Sequence, residues 1–183
     1  MYPYIIIGVI VLLVVWFITS YNKLIRGKNK TEEAFSTMDV YMKKRYDLIP
    51  NLVETVKGYA KHESETLEKV IAARNSATAS VSMEERMQNE AAVSGAIKNI
   101  FALAESYPDL KANENFVDLQ NQLKKVEEDI ANSRKYYNAV VRDFNNLVMT
   151  VPTNFVASMF KFEKQPMFEV ENEAERRNVQ VNF

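Results

Sequence analysis

His62 is the single imidazole in a chain of 183 residues that has no cysteine. Chemistry that needs a thiolate, a disulfide frame or a pair of His ligands is therefore closed to it. The run His62-Glu63-Ser64-Glu65-Thr66 opens like the zinc motif H-E-x-x-H, but Thr66 stands where the second His must be. One imidazole does not build that site. Carboxylate-bridged di-metal bundles need Glu-x-x-His from two helices, and the residue three before His62 is Tyr59. Ser64 and Thr66 follow His62 on what reads as one helix, a spacing that gives neither an aligned nucleophile and base nor an oxyanion hole. Glycine occurs only at 8, 27, 58 and 95, so neither G-x-G-x-x-G nor G-x-x-x-x-G-K-[ST] can be written. No catalytic residue, metal or cofactor is expected. A capping or hinge role near a helix end is the reading for His62, and a hydrolase built on carboxylates alone is the weakest alternative.

Nor does charge point to nucleic acid. Lys and Arg number 23 against 24 Asp and Glu, which removes the bulk electrostatic case. The basic run Lys43-Lys44-Arg45-Tyr46-Asp47 is short and flanked by Asp39 and Glu54. It reads as a salt-bridged helix surface.

The elements that must position these residues begin with an apolar stretch. Ile5 to Ile18 are apolar apart from Gly8. About 20 residues rise roughly 30 Å as a helix, the depth of a bilayer core. Tyr2, Tyr4, Trp16 and Tyr21 place aromatic rings at its two ends, where they favour the interface. A cleaved signal peptide fits badly, because no Lys or Arg precedes the run and no A-x-A site follows it. Residues 4–21 are therefore expected to be an uncleaved membrane anchor, with Tyr4, Ile5, Ile6, Ile7, Trp16, Phe17 and Tyr21 in or at the lipid bilayer. Lys23, Arg26, Lys28 and Lys30 follow it. Positive charge stays in the cytoplasm, so residues 1–3 are expected outside and the body inside, with those four charges against the headgroups.

The body, residues 22–152, is expected to be an all-α, elongated antiparallel bundle of about four long helices. Phe116, Leu119, Leu123, Val126, Ile130, Ser133, Tyr137, Val140, Phe144, Leu147 and Val151 follow a 3-4-3-4 spacing, a heptad seam of coiled-coil type broken only at Ser133. Asn113 is its expected N-cap and Pro152 its stop. An earlier helix carries Phe35, Met38, Met42, Leu48, Leu52, Val56 and Tyr59 on its face, and keeps phase across Pro50, so a kink is expected there rather than a break. A third segment runs through Leu67, Val70, Ile71, Arg74 and Ala77, capped at Ser64. Ser82 with Glu85 reads as a capping box opening a fourth, through Met87, Ala91, Ile97, Ile100, Phe101 and Ala104 to Tyr107. Residues 153–183 read as a tail in which Phe155, Val156, Met159 and Phe160 form a turn or two of helix. Its Phe and Met side chains are expected to pack on an open end of the bundle, the sharper alternative being a patch that touches a partner or the membrane.

The segment from Tyr41 to Arg74, with Arg-Tyr-Asp-Leu-Ile-Pro-Asn-Leu-Val-Glu-Thr-Val-Lys-Gly-Tyr-Ala-Lys-His-Glu at its centre, closely resembles the signature of the LemA family of bacterial membrane proteins. A second match is Tyr107-Pro108-Asp109-Leu110-Lys111-Ala112-Asn113-Glu114-Asn115-Phe116, and a third is the tail around Phe162, Pro166, Phe168 and Phe183. Phe35 stands where the family often shows Trp. The resemblance implies a single-pass membrane protein with a soluble helical bundle, and no enzymatic activity. It carries over Arg45, Asp47, Pro50, Asn51, Glu54, Lys57, Gly58, Tyr59, His62 and Glu63, then Tyr107, Pro108, Asn113 and Asn115. Two accounts of these residues stand side by side. In one they are structural, with Asn51 and Asp47 repairing the backbone around Pro50 and Asn113 and Asn115 capping the long helix. In the other their polar faces form a docking surface.

The function expected from all of this is a non-enzymatic, membrane-anchored scaffold, adaptor or self-assembling protein, with a protein partner or a second copy of itself. The alternative is a membrane-tethered sensor of a ligand or metal ion, switching between bundle packings.

Overall fold

The structure, a computed structural model, describes residues 2–80 and 82–168. Expectations for residues 169–183 lie outside them. The described residues are helical and contain no strand: α1 (Tyr2–Lys57), α2 (Ser64–Ala79), α3 (Met83–Ala104), α4 (Pro108–Lys111), α5 (Glu114–Met149) and α6 (Thr153–Met159).

The apolar residues at the start of α1 are helical without interruption, because nothing in them competes with the backbone for hydrogen bonds. Among the described residues α1 is the one helix long and apolar enough to cross a membrane, and only 6% of its apolar window is buried. A core helix of a soluble protein with that composition would be covered by neighbouring chain. Here Tyr4, Ile5, Ile6 and Ile7 stand exposed, as the lipid-facing residues of a transmembrane helix must. Lys23, Arg26, Lys28 and Lys30 are exposed just beyond, with Lys28 reaching Glu32 at 3.8 Å. The helix continues through Gly27 and through Pro50, as the unbroken phase of its apolar face anticipates.

The chain divides into two compact units. The first comprises residues 2–38 and 132–167. Leu24, Phe144, Val156 and Ala157 form its buried cluster, and Trp16, Phe17, Tyr21, Leu147, Val148 and Phe162 pack against it. The inner aromatics of the anchor are thus half-buried in protein rather than wholly in lipid. Gly27 sets the approach of α1 to α5: a Cβ there would stand 3.0 Å from Cδ2 of Phe144 and 3.5 Å from Cδ1 of Leu147. Phe35 meets Tyr137 edge-on at 5.9 Å between ring centroids.

The heptad seam of α5 is buried from Phe116 to Phe144 apart from half-buried Ser133. Val151 does not close it. The helix ends at Met149, before Pro152, and Val151 is 73% exposed. Val141, off the strict spacing, is fully buried instead.

After α6 the chain turns sharply at Lys161, whose φ is 54°. The Phe162 N–H donates to the Ala157 carbonyl at 2.9 Å and the Lys161 N–H to the Ser158 carbonyl at 3.3 Å. These are the paired bonds of a Schellman C-cap, with Lys161 in the left-handed position that usually favours glycine. Residues 162–168 form neither helix nor strand. Asn145 holds them by donating from Nδ2 to the Gln165 carbonyl and accepting from the Gln165 N–H, both at close range (2.9 and 2.8 Å). The Tyr137 hydroxyl donates to the Pro166 carbonyl at 2.9 Å.

The second unit comprises residues 39–131 with Phe168. It buries Met42, Ile49, Leu52 and Val56 of α1, Leu67, Val70 and Ala77 of α2, Val93, Ile97 and Ile100 of α3, and the first half of the α5 seam. The Ser82–Glu85 capping box is present in both directions, and Asn113 Oδ1 caps α5 by accepting from the Phe116 N–H at 3.0 Å. Two local expectations are corrected. Ser64 is the first helical residue, and Glu63 in the cap position makes no side-chain cap bond. Ala91 is exposed while its neighbour Glu90 faces inward. Pro108 opens the short α4, where its missing N–H costs nothing.

Candidate functional site

Arg45 is the largest fully buried side chain in the molecule's described residues. Burying a guanidinium is costly unless it is paired and hydrogen-bonded; here both Nη nitrogens are bonded, while Nε is buried without a partner among the described residues. Its Nη2 donates to Glu90 of α3, and its Nη1 donates to Glu127 of α5 at 2.6 Å and to Ser94 Oγ at 2.8 Å. Ser94 in turn donates to the other carboxylate oxygen of Glu127 at 3.0 Å. Tyr46, the next residue on α1, donates its hydroxyl to the second oxygen of Glu90. Glu90 is fully buried, whereas the side chain of Glu127 is 42% exposed. Three helices are tied through one guanidinium. Burial, reinforced by the bond to Glu90 and by its charge, holds the Tyr46 phenol well above its ordinary range, so it remains a donor.

This corrects the reading of Lys43–Asp47 as a salt-bridged surface. Lys43, Lys44 and Asp47 are exposed, but Arg45 and Tyr46 point inward. Arg45 and Met42, then Ile49, Leu52 and Val56, share the inner face of α1. At the edge of the same unit Arg86 pairs with Asp39.

Pro50 removes the donor that would have satisfied the Tyr46 carbonyl. Asn51 and Asp47 do not repair this gap: both are exposed, and neither side chain forms a bond there. The repair comes from α2, where Arg74 Nε donates to the Tyr46 carbonyl at 3.0 Å. Arg74 closes the long matching segment, which was the only signal in the sequence that could have found it.

A second group of motif residues meets where the α1–α2 turn faces the α3–α4 and α4–α5 turns. The Tyr107 hydroxyl donates to Glu63 at 3.1 Å, a bond that raises the phenol's pKa. Asn113 Nδ2 donates to the Tyr59 hydroxyl at 3.0 Å. Asn113 therefore caps its helix with one end of the amide and ties down the preceding turn with the other. Asn115 is exposed inside α5 and caps nothing. Glu54 and Lys57 form an exposed pair at 3.9 Å. Gly58 lies in the turn, and Pro50 and Pro108 are exposed. His62 is exposed in the turn, with no hydrogen-bond partner among the described residues.

The motif residues thus separate into a set whose side chains tie elements together (buried Arg45, half-buried Glu63, Tyr107 and Asn113, and exposed Tyr59) and a set that only lines the surface (Asp47, Asn51, Glu54, Lys57, His62). The second member of the buried ion pair, Glu90, lies outside every quoted motif and was missed. No group of three or more His, Cys, Asp or Glu among the described residues is placed to hold a metal ion. The tying set uses ionic bonds at Arg45, a phenol–carboxylate bond at Tyr107 and a neutral bond at Asn113, and places no nucleophile beside a base among the described residues.

The model of the LemA family matches residues 34–183. The chain is similar to Protein LemA of Metamycoplasma hominis, with 26% identity over 168 residues, covering 88% of this chain and 74% of that protein.

Proposed function

The chain belongs to the LemA family, and from that premise we propose that it acts as a membrane-anchored helical scaffold or adaptor, without catalysis of its own. Its short N-terminus lies outside and its body in the cytoplasm. The observation that carries this reading is the use made of the motif's charged and polar side chains. Arg45 and Tyr46 bind Glu90, and Arg45 binds Glu127, so the groups best suited to chemistry are consumed in joining helices. What they leave outside is a stable surface bearing Asp47, Asn51, Glu54, Lys57 and His62, suited to docking a protein partner or a second copy of the chain.

Crosslinking in cells and recovery of the full chain with its anchor intact tests the scaffold. A defined partner or a ladder of self-adducts supports it. No trapped species, together with a strictly monomeric protein at high concentration, sinks it. Thermal melts of the same protein against divalent cations and metabolites address the sensor alternative, because a bound ligand raises stability by RT ln(1 + [L]/Kd). Orientation has its own test. The chain has no cysteine, so Asn121→Cys on exposed α5 introduces a single thiol. Labelling of that thiol by an impermeant reagent in intact cells would place the body outside.

A further inference from the structure

The anchor is not the only part of the first unit that presents apolar surface. On α6, Val156 and Ala157 face the buried cluster, while Phe155 and Met159 stand 65% and 66% exposed on the opposite side. Phe160, 46% exposed, ends α6 on the side that meets α1, and Val151, 73% exposed, precedes the helix. Single exposed apolar residues are ordinary, but Val151, Phe155, Met159 and Phe160 fall close together in the chain, and such clustering marks a contact.

The ring contacts fix its depth. Phe160 lies 4.6 Å from Tyr21 and 5.9 Å from Phe17 between centroids, and Phe162 lies 6.1 Å from Tyr21. Phe17 and Tyr21 are where the apolar run of α1 ends and its charged flank begins. Through Phe160, α6 therefore stands beside the point at which the apolar run of α1 ends. Lys161 and Lys164 follow α6, exposed, as Lys23 and Arg26 follow the span. Aromatic and Met side chains backed by Lys and Arg are the composition of elements that lie in the headgroup–acyl boundary.

We propose that α6 is a second membrane contact: Phe155, Met159 and Phe160 insert into the interface of the bilayer that the anchor crosses. The chain is then held at two points, one spanning and one lying in the surface, and the first unit cannot turn freely about the anchor.

The test uses the full chain in vesicles of phosphatidylcholine containing phosphatidylglycerol, with an environment-sensitive fluorophore on single cysteines. Phe155→Cys and Met159→Cys report the patch. Ile10→Cys reports the anchor. Lys135→Cys, exposed beside the Phe35–Tyr137 contact about 21 Å further along α1 from Tyr21, is the control. Lipids brominated near the headgroup end of the acyl chain are expected to quench positions 155 and 159 at least about twofold more than position 135. Equal quenching at 155, 159 and 135 while position 10 is quenched by mid-chain bromine overturns the proposal and leaves the anchor standing. Failure at position 10 as well sinks both. If positions 155 and 159 are shielded from a water-soluble quencher but not reached by brominated lipid, and the shielding fades on dilution with lipid, the occupant is a second copy of the chain and the proposal is wrong.

Discussion

Arg74 Nε donates to the Tyr46 carbonyl at 3.0 Å, and Tyr46 is the residue whose helical donor Pro50 cannot supply. A side chain from α2 stands in for a missing backbone N–H of α1. The two residues should therefore be coupled energetically. Arg74→Met leaves a carbonyl without its partner and is expected to lower stability by about 1–3 kcal/mol. Pro50→Ala restores the N–H, so Arg74→Met in that background should cost markedly less. A double-mutant cycle read by thermal or denaturant unfolding checks this, with a coupling of about 0.5–2 kcal/mol expected. Strict additivity would mean that Arg74 does not serve the Pro50 gap.

The Arg45–Glu90 pair makes an opposite kind of prediction, because both members are fully buried. Removing one charge strands the other, so Arg45→Met or Glu90→Leu alone should cost about 3–5 kcal/mol. The double variant, which replaces the pair with apolar side chains of similar volume, is expected to recover most of that loss. If it also broadens the unfolding transition or loosens α3 against α1 in hydrogen exchange, then the pair's role is to specify the packing rather than to strengthen it.

Stability should fall in alkali. Burial pushes the Tyr137 phenol up to about 12 from 10.0, and Tyr46 is shifted in the same direction. The unfolded chain releases these protons near pH 10, while the folded chain keeps them. Their contribution is fully present below pH 10 and is lost as pH rises toward the folded values. Each phenol contributes a slope of at most about 1.4 kcal/mol per pH unit in that window. Unfolding measured from pH 9 upward should steepen in its decline past 10, and Tyr137→Phe should flatten it.

Two glycines separate propensity from packing. Gly95 sits in the exposed middle of α3 with nothing near an added Cβ. Gly95→Ala is therefore expected to stabilise by about 0.5–1 kcal/mol. Gly27→Ala has the same intrinsic gain, but its Cβ would meet the ring of fully buried Phe144 at 3.0 Å. It should fall short of the Gly95 gain or be destabilising. Paired melts of the two variants check the contrast.

What was legible beforehand follows from range. The capping box at Ser82 and Glu85 and the cap at Asn113 were readable because both partners of each bond lie within one helical turn. The anchor and the α5 seam were readable because periodicity integrates over many residues. Val151 was misplaced because the seam's spacing runs past the point where the helix stops. The inward turn of Arg45 and Glu90 was not readable, since a charged residue on an apolar face is expected outside until its partner is known. That partner comes from a helix 45 positions away. The same limit hid Arg74: its substitute donor bond spans 28 positions. Which of the motif residues point outward is likewise a tertiary property, which the resemblance alone does not give.

The paired bonds between Asn145 and Gln165 bear on how the cell's proteases meet this chain. A protease accepts substrate as an extended strand and grips it through the same backbone N–H and carbonyl groups that a neighbouring strand would use. Residues 162–168 are free of helix and strand, as a protease substrate must be, yet Asn145 already occupies both backbone groups at Gln165, and Tyr137 occupies the carbonyl of Pro166. Cutting there is expected to require release of the segment from α5, so limited proteolysis should be slowed by the two side chains that hold its backbone.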